Sequence, residues 1–254
     1  MTARSLLLAC AISIGAPAAA RAQDWTVDLG LASIARPLHL GSKGYMTEVV
    51  PIVGATLGDR FSFSLDDGAK WTAWRAGPMS AGPVAEYRRT YDDDLPPGAF
   101  RMDDAVEIGG FVAAKTPVGI AEARLRHAVN AYDGWSADLS FDTGGRVARK
   151  LQLGGEVRAS WADADFTQEY FGLEPHVARR FGLPRFLDDN YISVGAQVMG
   201  AYDLAPHRQL VFAFSDDRIV GEVGPSPILK TRDVLSASVG FVYHWSSTAP
   251  GHLP

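Results

Sequence analysis

The chain has 254 residues, 24 Lys and Arg against 29 Asp and Glu, and a formal charge of −5. A mildly acidic chain without a basic cluster excludes nucleic acid as a partner class. Its single cysteine, Cys10, excludes a disulfide framework within the chain and any multi-thiolate metal site.

The first residues read as a secretory signal. Arg4 supplies the positive start, residues 6–14 form a short apolar run, and Ala20-Arg21-Ala22 forms an A-x-A cleavage site. The apolar run is too short for a membrane helix and is broken by Ser13, Gly15 and Pro17. The expected organisation is a signal peptide at 1–22, a β domain at 23–245 and a tail at 246–254. Removing 22 residues from 254 leaves 232, takes away Cys10, and moves the charge from −5 to −7 through loss of Arg4 and Arg21. No later segment approaches 18 consecutive apolar residues, so no helical membrane span is predicted.

The remainder alternates. Residues 25–34 place Trp25, Val27, Leu29 and Leu31 opposite Thr26, Asp28 and Gly30. Strands follow at 46–57 (interrupted by Pro51), 61–65, 70–75 and 83–90, with turns at Gly58-Asp59-Arg60 and Asp66-Asp67-Gly68. A polar loop spans 91–104. Residues 105–114 put Val106, Ile108, Gly110 and Val112 on one face. In 120–131, Ala121, Ala123, Leu125 and Val129 face one way, and Glu122, Arg124, Arg126 and Asn130 the other. A hairpin turn at Tyr132-Asp133-Gly134 leads to 135–141, and residues 142–149 read as a turn. Residues 151–161 alternate again, with Glu156 and Arg158 on the polar face. An irregular stretch at 162–190 precedes strands at 191–202 and 209–215, a loop at 216–232, and the closing strand at 233–245.

That closing strand holds a period of two for about a dozen residues, longer than the usual five or six. Leu235, Ala237, Val239, Phe241, Tyr243 and Trp245 share one face, and Val242 is the one apolar residue on the other. A membrane-spanning strand needs roughly 9–11 residues, apolar outward and small or polar inward, with aromatics at the interface. Twelve strands are predicted, and no helical period competes over a long window. With the N-terminus in the periplasm, the long connections at 91–104, 162–190 and 216–232 all fall outside, and the opposite end has short turns. The predicted fold is therefore an all-β, antiparallel, up-and-down transmembrane barrel in the outer membrane of a Gram-negative cell. A soluble sandwich is the competing reading, because alternation alone does not say which face meets water.

The run Trp161-Ala162-Asp163-Ala164-Asp165-Phe166-Thr167-Gln168-Glu169-Tyr170-Phe171-Gly172 resembles a W-x-D and Y-F-G block of the MltA-interacting protein family, MipA/OmpV. Gly182-Leu183-Pro184 and Gly224-Pro225-Ser226-Pro227-Ile228 resemble two further blocks of that family, in the same order before the last strand. The resemblance implies an outer-membrane barrel. It also implies a scaffold that brings a lytic murein transglycosylase together with a penicillin-binding protein; adhesion and stress response are other roles described for the family. Members of that family usually end on an aromatic residue, whereas nine residues follow Trp245 here.

Chemistry of its own is not expected. The chain has no G-x-S-x-G, phosphate loop or H-E-x-x-H, and no cofactor is implied. Of six histidines, only His127 and His244 fall within strands. His127 is expected to face lipid or the interface, and His244 to face inward near Ser236 and Ser238. The inward charges Glu122, Arg124, Arg126, Glu156 and Arg158 form the candidate site. They read either as a salt-bridged lumen that stiffens a narrow barrel or as the lining of a small-solute channel. The acidic pairs Asp92–Asp94, Asp103-Asp104, Asp188-Asp189 and Asp216-Asp217 are expected in outer loops facing lipopolysaccharide, where divalent cations could bridge them to its phosphates.

Overall fold

The computed structural model describes residues 24–90, 92–95, 99, 102–180, 182, 190–221, 226 and 228–247. The signal segment 1–22, the tail from 248 onward, and the pair Asp188-Asp189 lie outside the described residues.

Strands form because β-branched and aromatic residues alternate with small or polar ones, and tight turns at Gly58, Gly77 and His207 reverse the chain with positive φ. In chain order they are β1 (Trp25–Pro37), β2 (Tyr45–Leu57), β3 (Phe61–Ser64), β4 (Gly68–Trp71), β5 (Trp74–Ala76), β6 (Met79–Arg88), β7 (Ala105–Thr116), β8 (Gly119–Ala128), β9 (Trp135–Ala148), β10 (Leu151–Ala162), β11 (Tyr191–Ala205), β12 (Arg208–Ile219) and β13 (Asp233–Ser246). β4 and β5 are two segments of one strand, interrupted at Thr72 and Ala73, and both lie against β6. The result is a closed 12-strand antiparallel β-barrel. The pairing of β1 with β13 joins the two ends of the chain, from Thr26↔Ser246 to Ala35↔Ala237.

The barrel is inverted relative to a soluble protein. Leu31, Val49, Leu125, Leu139, Val157, Val198, Phe214 and Val239 all point outward and are exposed. Tyr243 stacks on Trp245 with ring centroids 5.4 Å apart, and Arg208 lies 5.2 Å over Tyr243. These rings sit outward at the end with the short turns, where an aromatic girdle meets the headgroups. Val242 points inward and is buried.

Three expectations need correction. β9 runs on to Ala148, because Asp142–Arg146 continues to pair with β10 and Asp142 pairs with β8. β12 runs on to Ile219, so Asp216 and Asp217 are in the barrel wall rather than in a loop. The stretch after β10 is not wholly irregular: it holds α1 (Ala164–Phe171) and α2 (Pro175–Arg180). Asp163 caps α1 by accepting from the Phe166 N–H at 3.1 Å.

Buried apolar residues are concentrated at the end with the long loops. Phe166, Tyr170 and Phe171 of α1 pack with Tyr132, Tyr191, Ile219, Ile228 and Met102, and Leu40, Leu95 and Leu229 lie against this cluster. Every long connection thus contributes to one apolar knot across the outer mouth.

Candidate functional site

The alternation that turns aliphatic side chains outward turns charges inward. Below the knot, β6, β7, β8 and β9 bring Glu86, Arg88, Glu107, Arg126 and Asp138 together. Arg126 is 1% exposed and donates to Glu107 at 2.9 Å and to Asp138 at 2.6 Å, with Glu86 at 3.4 Å. Glu107 is fully buried and also receives Arg88, the Tyr132 hydroxyl, and the Ser136 hydroxyl at 2.8 Å. Burial and the adjoining Glu107 carboxylate raise the pKa of the Tyr132 phenol, so it remains a donor. The Arg88 guanidinium lies 5.4 Å over the Phe166 ring, so the apolar knot rests on the ionic layer. Glu86 Oε2 and one Arg126 guanidinium nitrogen are sealed from solvent without a hydrogen bond.

This packing depends on a small residue. Gly109 is the register partner of Arg126, and a Cβ there would lie 1.9 Å from the Leu125 carbonyl oxygen. Only glycine lets β7 and β8 approach this closely.

Of the five charges singled out from the sequence, Glu122, Arg124 and Arg126 meet on β8. Arg124 bonds Glu122, reaches Asp67 at 3.1 Å, and has Glu86 at 3.5 Å; Lys70 approaches Glu122 at 3.3 Å. Glu156 and Arg158, on β10 and separated from β8 by β9 alone, form a second group. Arg158 donates to Asp217 at 2.8 Å and to Gln197 at 3.3 Å, with Glu156 at 3.4 Å. The five therefore belong to two networks, not one.

Glu86, Arg88, Glu107 and Asp138 join these networks and were not singled out from the sequence; Asp217, expected in an outer loop, joins them as well. Their signal was the same alternation: Glu107 opposes Val106 and Ile108, and Asp138 opposes Leu139.

His127 lies outward near the outer rim, edge-on to Trp135 with centroids 4.8 Å apart, and 3.3 Å from Asp133. His244 points inward, and its ring partner is Asp28 at 2.6 Å rather than Ser236 or Ser238. At the outer rim Arg36 joins Glu48 at 2.6 Å and Asp93 at 3.3 Å, and Arg89 joins Glu48 at 2.9 Å. Asp104 accepts from the Thr90 N–H at 2.8 Å and from the Tyr87 hydroxyl, which hold its carboxyl below the usual range. Among the described residues no three His, Cys, Asp or Glu gather as a metal site.

A closed antiparallel barrel with an apolar exterior, a charged interior, and long connections gathered at one end is an outer-membrane β-barrel protein. The family model described as MltA-interacting protein MipA matches residues 29–245, and the chain belongs to that family. No curated protein sequence matches the chain. Among solved structures, an outer membrane channel from Pseudomonas putida F1 is similar at 12% identity. The alignment covers 88% of this chain and 95% of that one, with a TM-score of 0.38. OmpT of Vibrio cholerae is similar at 8% identity, covering 88% and 99%, with a TM-score of 0.38. Neisserial surface protein A is similar at 12% identity, covering 86% and 96%, with a TM-score of 0.28.

Proposed function

We propose that this protein is a non-conducting scaffold, exported with a cleaved leader, that joins the outer membrane to enzymes of murein turnover without chemistry of its own. Family membership supports the partner class: a lytic murein transglycosylase and a penicillin-binding protein. The observation that carries the non-conducting part is the stacking of two obstructions. An apolar knot built on Phe166 and Phe171 packs over the outer mouth, and the buried Arg88–Glu107–Arg126 network fills the lumen side of β6, β7 and β8 beneath it. A solute path through this interior would have to separate desolvated ion pairs, which is costly when one partner is left alone. Lipid and lipopolysaccharide are the surrounding partners that the outward apolar belt fits.

Two measurements test the reading. Purified barrel in a planar bilayer is expected to give no steady conductance; stepwise openings would instead favour a small-solute channel. Chemical cross-linking in intact cells is expected to recover a transglycosylase or a penicillin-binding protein with the barrel. Recovery of neither, under conditions that cross-link a known envelope complex, would overturn the scaffold.

A further inference from the structure

The barrel wall is not of even height. β2 has 13 residues and β6 has 10, but β3 and β4 between them have 4 each. β3 pairs with β2 only from Gly54↔Ser64 to Leu57↔Phe61, and β4 reaches β6 only at Ala69↔Ala85 and Lys70↔Val84. Toward the loop-bearing end, both intervening strands are missing. Three ordinary strand spacings of about 4.8 Å would put β2 roughly 14 Å from β6 there.

The edge of this gap is unpaired backbone. The Val53 carbonyl faces β3, since it accepts from the Leu65 N–H at 3.1 Å. By the alternation of an antiparallel ladder, the backbone groups of Pro51, Val49 and Thr47 face the same side. Among the described residues no strand pairs with them there. Pro51 has no N–H to leave unsatisfied, as expected of an edge position. The gap is bounded below by the hairpin tip at Leu65 and Asp67, the latter held by Arg124. It is bounded above by the Glu48–Arg89 and Arg36–Asp93 ion pairs.

The depth of the gap is set by its neighbours in the wall. Leu65 at its lower edge and Val49 on its flank point outward and are exposed, 38% and 69%. They belong to the apolar belt that meets lipid, so the gap opens within the membrane rather than above it. Open strand edge facing hydrocarbon is not tolerated in membrane proteins unless it lines a wet cavity or is covered.

Inside the gap, the lumen changes character. β1 and β2 turn Ile34, Val50 and Ile52 inward, and β13 adds Val242 beside Gly240. A Cβ on Gly240 would lie 2.9 Å from both Ala32 Cβ and Ile52 Cδ1, so the strip is closed at its β13 side. It is an apolar stripe in an interior that elsewhere holds the charged networks and a small buried cluster of Val84, Phe111 and Ala113.

We propose that the window between β2 and β6 is a lateral port that admits one acyl chain of a membrane amphiphile. The chain lies along Ile34, Val50 and Ile52, and the polar part meets the open edge at Thr47 and Val49. Three features select this occupant. The port is continuous with the lipid-facing belt, the stripe inside it is apolar, and the rim offers backbone hydrogen-bonding groups that an ester or sugar hydroxyl satisfies. The apolar knot packs at the loop-bearing end, above the port. The proposal does not rest on the scaffold reading, because a port into lipid carries no transmembrane current.

The test uses the folded full-length barrel with a benzophenone amino acid at position 52, in vesicles of extracted outer-membrane lipid. Position 209, inward on β12 near the short turns, is the control. Illumination is expected to give lipid adducts at position 52, identified by intact mass as phospholipid or lipid A, and few at position 209. Equal yields at the two positions overturn the port. Should the label at position 52 prevent folding, position 50 replaces it, with folding judged by heat-modifiable migration. With the label at position 50, I52W is expected to lower adduct yield roughly tenfold, the equivalent of excluding about two methylenes. An unchanged yield overturns the proposed path.

Discussion

The carboxylate of Glu107 on β7 and the guanidinium of Arg126 on β8 meet at 2.9 Å, with side-chain exposures of 0% and 1%. Removing one member leaves the other charged and dry. Glu107→Ala is expected to cost about 3–5 kcal/mol against urea unfolding in lipid vesicles. Arg88 and Arg126 both lose a partner in that variant. A loss under 1 kcal/mol would mean that water already solvates the layer.

Gly195 stands between Arg158 and Asp217 in the register of β10, β11 and β12. A Cβ there would lie 1.9 Å from Asp217 Oδ1, the atom that accepts from Arg158. Gly195→Ala is expected to displace that carboxylate and cost about 1–3 kcal/mol. Gly155→Ala, whose nearest contact would be 3.7 Å away, serves as the tolerated control. Equal unfolding midpoints for the two variants would contradict this account.

Asp104 supplies a pH dependence outside the membrane. Its carboxyl is held below the ordinary 3.8, first by the Thr90 N–H and then by the Tyr87 hydroxyl. A lowered folded-state value means the stabilisation is present above the unfolded-state value and is lost as pH falls through the folded one. Protection of the Thr90 amide from hydrogen exchange, relative to its intrinsic rate, should therefore hold at neutral pH and fall in acid below about pH 4. In Asp104→Asn this acid transition should vanish. Persistence of the same transition in the variant would assign it elsewhere.

Phe171 is fully buried in the apolar knot, stacked on Tyr191 with centroids 6.0 Å apart. Phe171→Ala is expected to cost about 3–5 kcal/mol locally. Protease added to intact cells should then cut the segment around α1 faster than in the parent. The barrel itself should keep its heat-modifiable migration, because the strands close without the knot. Loss of the barrel together with the knot would mean that the two fold as one unit.

The wall of the barrel was legible because a period of two survives in every strand, and the turns carry glycine, proline and aspartate. The errors arose where that signal fails. Residues 142–149 hold Gly144 and Gly145, which look like a turn but lie within paired β9 and β10. α1 is eight residues long, with Phe166, Tyr170 and Phe171 at i, i+4 and i+5, too short a window for a helical period to stand out. The inward charges could be read one strand at a time, but their partners could not. Arg158 and Asp217 are 59 residues apart and become neighbours only through the register of three strands. The short β3 and β4 were visible as short segments, yet their consequence needs the heights of β2 and β6 beside them.

The seam between β1 and β13 sets the first and last strands side by side, and Ser247 donates its N–H to the Trp25 carbonyl at 3.0 Å. It is the one ladder among the described residues that joins elements from opposite ends of the chain; all others link strands that are neighbours, or next but one, in sequence. The molecule is therefore a ring with a nick. A circularly permuted chain, joined across Trp25 and Ser247 by a short linker and opened at the turn around Asp59, would contain every pairing the natural order contains. Only the moment of closure would move, from the last strand delivered to a different one.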